Sequence, residues 1–193
     1  ADAYADAIAT YLAFAISRTS NKSSSVCSWD SSPKMEAVRG VFARQAIPMV
    51  WDYAEANPFA DSSGSFINDV DWVAKAIQRV PAVGTATVRQ SDAATRAYSG
   101  LVISTDPPYY DNIGYSDLSD FFYVWLRRSL RTDHAKTVGT MLTPKAEELV
   151  ANPYRHSGKD GAEKFFIDGF NSVFARVRQG ANLSVPLTVY YAY

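Results

Sequence analysis

The chain has 193 residues, 47% of them apolar, and 19 Lys and Arg stand against 20 Asp and Glu for a formal net charge of −1. That length supports a domain with a sizeable core, while the even charge excludes a generally basic protein, so any contact with nucleic acid has to be local. A single cysteine, Cys27, excludes an internal disulfide framework and a cysteine-built zinc site.

The opening "ADAYADAIATYLAFAISR" is acidic where a secretory signal is basic. No apolar run reaches the length of a membrane span, so no membrane partner is expected, and the single cysteine fits a cytoplasmic setting. The chain starts inside a helical pattern without a methionine and reads as a piece of something longer. Tyr4, Ile8, Tyr11, Leu12, Ala15 and Ile16 form one helical stripe over 3–18. "RTSNKSSSVCSWDSSP" is loop. Pro33, with Ser31 or Ser32 as its cap, predicts a second helix that buries Met35, Val38, Val41 and Phe42. "MVWDYAEA" reads as a short helix ending before Asn57-Pro58. Phe66, Val70, Val73, Ala76, Ile77 and Val80 predict a further helix, closed by Pro81 and Gly84.

Residues 1–82 therefore read as mainly helical, and the pattern changes at 83. "TATVRQ" alternates and is β-branched, as in a strand. "LVIST" is continuous and β-branched, like a parallel strand buried on both faces. Leu118, Phe121, Phe122, Trp125 and Leu126 then form a helical stripe. Asp117 and Asp120 stand at its start and Arg127, Arg128 and Arg131 at its end, an order that complements the helix dipole. Residues 133–157 look loop-like. Asp160 and Glu163 resemble a capping box ahead of Phe166, Phe170, Val173, Phe174 and Val177, with Gly180 as the stop. "PLTVYYAY" is a last strand.

Strands alternating with helices predict an α/β layered fold. Ligands in such sheets sit outside the carboxyl ends of strands. Asp106 follows "LVIST" and Asp92 follows "TATVRQ", so two acids at two strand ends can face one crevice. The corner "DPPYY" at 106–110 has a plain reading as a turn, since Asp starts turns and Pro fixes φ. It also has a functional one: a rigid acceptor followed by an aromatic ring able to stack on a planar ligand. His134 and His156 are isolated and form no metal or catalytic pair.

The run "TDPPYYDNIGYSDLSDFFYVWLRR", together with "RQAIPMVWDYAEANPF" and "LTPKAEELVANPYRH", resembles the adenine-specific DNA methylases, S-adenosylmethionine-dependent amino-methyltransferases. The likeness covers most of residues 40–193. It implies part of a Rossmann-like methyltransferase sheet with flanking helices, whose catalytic-motif part is 83–193. The implied reaction is methyl transfer from S-adenosylmethionine to adenine N6 in DNA, with cytosine N4 as the alternative amine. By that likeness the Asp106 carboxylate and the Pro107 carbonyl accept the two N–H bonds of the target amine. Their acceptance turns its lone pair toward the methyl group. Pro107 and Pro108 keep the corner rigid, and preorganised acceptors avoid reorganisation. Tyr109 stacks on the flipped base, Tyr110 and Asn112 line the mouth, and Asp92 accepts from the cofactor's adenine amine. No metal is implied. The implied setting is restriction-modification or phage defence.

The family's Phe-x-Gly-x-Gly turn, which holds the methionine end of the cofactor, does not occur in the sequence. The resemblance therefore implies a fragment that needs an upstream part of the same protein. Alone, such a fragment is expected to bind S-adenosylmethionine weakly, to be inactive, and to self-associate through exposed strand edges. Two rival readings stand beside it: a non-catalytic methyltransferase-like module that binds nucleic acid or a partner, and an ordinary α/β domain in which the corner is only a turn.

Overall fold

A computed structural model describes residues 2–81, 83–111, 113–182 and 184–191. Among them the chain is mixed α/β, with five helices and two small two-stranded sheets. It divides into two compact units, one of residues 1–86 with 117–143 and one of 87–116 with 144–193.

In the first unit, helix α1 (Asp2–Ser20) and helix α2 (Phe66–Arg79) pack together. Ala13 and Ala15, small residues on different sides of α1, are its fully buried apolar positions. Both helices fall where the apolar period places them. Ser65 caps α2, its hydroxyl accepting from the Asn68 amide at 3.4 Å, and Val80 turns extended ahead of Pro81. Helix α3 (Tyr115–Leu130), most of which belongs to this unit, adds Tyr123 and Leu130 to a core shared with Ala13 and with Val138 of the short helix α4 (Ala135–Val138). Phe121 and Phe122 of α3 meet Phe42 at centroid distances of 5.6 and 5.2 Å.

The helix expected from Pro33 does not form. Strands β1 (Ser28–Asp30) and β2 (Ala37–Arg39) make an antiparallel hairpin there, with Trp29 opposite Val38. The physical cause is Asp30. One of its oxygens accepts from the Ser32 amide at 3.0 Å and the other from the Arg39 guanidinium at 2.6 Å, which closes the hairpin from both ends. The "MVWDYAEA" helix is also absent. Eight residues are too few to form a helix by propensity alone, and exposed Met49 and Trp51 find no apolar cover. Within 133–157, expected to be loop, 135–138 forms the single turn of α4.

In the second unit, strand β3 (Ser104–Thr105) pairs in parallel with β4 (Thr188–Val189). The Thr188 amide donates to the Ile103 carbonyl at 3.1 Å and the Tyr190 amide to the Thr105 carbonyl at 2.8 Å. The two expected strands "LVIST" and "PLTVYYAY" thus meet, but over a much shorter span. Val102 is 72% exposed, so the first is not buried on both faces. "TATVRQ" forms no strand: it has no ladder partner among the described residues and Val88 is 95% exposed. Helix α5 (Lys159–Gly180) begins after Gly158, whose φ of +96° suits glycine, and has no side-chain cap. The expected Asp160–Glu163 capping box is therefore not formed, because Asp160 lies inside the first turn rather than at the cap. Gly180 is the last helical residue but has no left-handed φ; a Cβ there would stand 3.1 Å from the Tyr98 backbone, and the chain turns extended at Ala181.

Candidate functional site

The corner at 106–110 leaves β3 at its carboxyl end and is held from several sides within its own unit. β4 fixes the strand that feeds it. The Tyr110 carbonyl accepts from the Ala151 amide at 2.6 Å, and the Tyr110 amide donates to the Tyr191 hydroxyl at 3.2 Å. The Tyr109 ring stands edge-on to Tyr191 at 5.3 Å, and the Tyr110 ring edge-on to Phe166 at 5.1 Å. Edge-to-face pairs at these separations add to simple burial. Partial burial, and then the charges of Glu163 and Asp111, push the Tyr110 phenol above its usual pKa.

Downstream of the corner, Glu148 latches the start of α3. Its carboxylate accepts from the Ser116 amide at 2.9 Å, the Ser116 hydroxyl at 2.6 Å and Arg155 Nη1 at 2.7 Å. An acid at a helix start is favoured by the free amides there. The segment "LTPKAEELVANPYRH" thus earns a structural role, supplying Glu148, Ala151 and Arg155 around the corner.

A cavity of about 320 Å³ lies between residues 101–105 and α5. Ser91 and Ala93 line it on either side of Asp92, and Thr105 and Pro107 line it on either side of Asp106. The two loops that carry the predicted acids therefore converge on one cavity, with Phe170 and Phe174 as its apolar wall. Neither acid lines it, and the two differ. Asp106 is exposed, and its carboxylate has no hydrogen bond or ion pair to a described residue. Asp92 is exposed and turned inward on its own loop, Oδ1 accepting from the Ala94 amide at 2.8 Å and the carbonyl from Arg96 at 3.1 Å. Pro107, Pro108, Tyr109 and Tyr110 are half-buried. Asn112 lies outside the described residues.

Tyr191 and Ala151, which hold the corner, and Glu148, which holds the start of α3, were not singled out by sequence reasoning, and Phe166 was read only as part of a helical stripe. The alternation in "TVYYAY" was the one signal that could have found Tyr191, since it puts one tyrosine of the pair on each face of its segment. Among the described residues no group of His, Cys, Asp or Glu is arranged to hold a metal ion, and no helix is long and apolar enough to cross a membrane. No family model, curated protein or solved structure matches the chain.

Proposed function

We propose that the second unit is the amine-holding part of an S-adenosylmethionine-dependent DNA methyltransferase acting on adenine N6. The observation that carries this reading is that residues flanking Asp92 and Asp106 line one cavity beside β3 and α5. The Asp106 carboxylate is open to an incoming N–H donor. The double proline limits how that acceptor can move, so little reorganisation is needed when the amine arrives. Tyr109, braced by Tyr191, offers a ring beside it for the base. Methyl transfer would be direct, from sulfonium to nitrogen, with rate gained by positioning. The β3–β4 pair would be part of a larger Rossmann-like sheet. The glycine turn for the methionine end of the cofactor would come from sequence outside these 193 residues.

One observation favours a second reading. Asp92 is already engaged in its own turn, as a plain loop acid would be. That suits a non-catalytic module that keeps the corner as a binding surface. Sequencing-based detection of modified bases separates the two. DNA from a host carrying the complete gene is expected to contain N6-methyladenine at a recurring site that is absent without the gene. N4-methylcytosine instead would change the target base, and no modified base would favour the module.

A further inference from the structure

A separate cavity of about 750 Å³ opens in the first unit, where the end of α1 meets the start of α2. Its lining includes the polar Arg18, Lys22, Ser17 and Ser63 and the apolar Phe14 and Trp72. Small-molecule sites occupy about 300–1,000 Å³, so the space suits an organic ligand better than a bare ion.

The charges in this cavity are unequal. Asp69 is its one lining carboxylate. It is 2% exposed and both its oxygens are used: Oδ1 accepts from Arg18 Nε at 2.8 Å and Oδ2 from the Thr19 hydroxyl at 2.9 Å. The Arg18 side chain is nevertheless 59% exposed, and its two terminal nitrogens bond to no described residue. A buried carboxylate thus fixes the guanidinium by one edge and leaves the other edge free, the geometry that suits a phosphate. Lys22 also has no ion pair among the described residues. Its stem crosses Gly64 (φ +87°) so closely that a Cβ there would collide with it. That contact settles the ammonium-bearing side chain beside the cavity. The Trp72 indole is 55% exposed, with the Arg18 guanidinium 5.8 Å and the Lys75 ammonium 5.5 Å from its centroid. Tying α1 to α2 explains the Arg18–Asp69 pair. It does not explain an unpaired lysine and a half-exposed indole at the same opening.

We infer that this cavity binds a nucleotide, with the phosphate on Arg18 and Lys22 and the base against Trp72. A planar ring joined to an oxyanion is the chemistry that uses all three side chains. Its source is a free mononucleotide or a nucleotide within a single strand, and the inference is independent of the methyltransferase reading.

Calorimetry on the chain tests it, with AMP, adenosine, inorganic phosphate and a short single-stranded oligodeoxynucleotide as probes. AMP or the oligonucleotide is expected to bind more tightly than adenosine or phosphate. Competition between the two that favours the oligonucleotide identifies a strand as the source; binding of AMP without the oligonucleotide identifies the free nucleotide. Lys22→Gln should weaken binding about tenfold, the loss of one charge-assisted hydrogen bond. Trp72→Leu should weaken AMP and leave inorganic phosphate unchanged. Arg18→Gln strips the partner from buried Asp69 and risks misfolding, so the variants at half-buried Lys22 and exposed Trp72 decide. Failure of wild-type chain to bind either AMP or the oligonucleotide, or binding unchanged in both deciding variants, overturns the inference.

Discussion

Asp30 shows how one carboxylate overrides a local pattern. The Ser32 amide and hydroxyl, and then Arg39, hold its pKa down to about 2. The sign follows from the direction. A carboxylate depressed on folding contributes stability that is present above its ordinary pKa, near 3.8, and lost as pH falls through the folded value. Stability should therefore decline between about pH 4 and pH 2 through this group. Urea unfolding of Asp30→Asn is the check: the variant should be weaker than wild type at pH 6, and the difference should shrink toward pH 2. A difference that does not change with pH would remove Asp30 from this role. Side chains of this kind were only partly legible. The loops of Asp106 and Asp92 could be expected near each other from the residues that precede them, and neighbours of both acids line one cavity, though neither acid does. Asp30 could not be singled out, because its partner Arg39 becomes a neighbour only after the hairpin closes.

At the scale of elements, period and distance divide what was legible from what was not. Helices α1, α2, α3 and α5 were readable because a helix satisfies its backbone within its own sequence, so an apolar stripe is enough. Strands depend on partners elsewhere. "TATVRQ" has the composition of a strand but no partner among the described residues, and it stays irregular and exposed. The start of α3 likewise depends on a distant residue, Glu148. Glu148→Ala should cost about 1–3 kcal/mol, since the Ser116 and Arg155 donors lose a charged acceptor in a mostly buried setting. The unfolding midpoint in urea and faster hydrogen exchange at the Ser116 amide would report it. An unchanged midpoint with unchanged exchange would mean that α3 starts without the latch.

For the whole molecule, the expected layered sheet is present among the described residues only as the β3–β4 pair, and parallel sheets are normally covered on both faces. Both residues of β4 are exposed. Thr188 and Tyr190 donate toward β3, so by alternation the Val189 amide points to the open edge. An open edge invites a second chain. Sedimentation velocity should show association that grows with concentration, and Val189→Pro, which removes an outward donor and leaves the β3 bonds in place, should reduce it. Association equal in both chains would place the contact elsewhere. The central claim concerns the corner, and it is tested most directly by comparing modified bases in hosts that carry the complete gene as wild type or as Asp106→Ala. Wild type is expected to give methylated adenine at a recurring site, and Asp106→Ala to abolish it at equal protein level. Methylation that persists unchanged in Asp106→Ala would contradict the assignment.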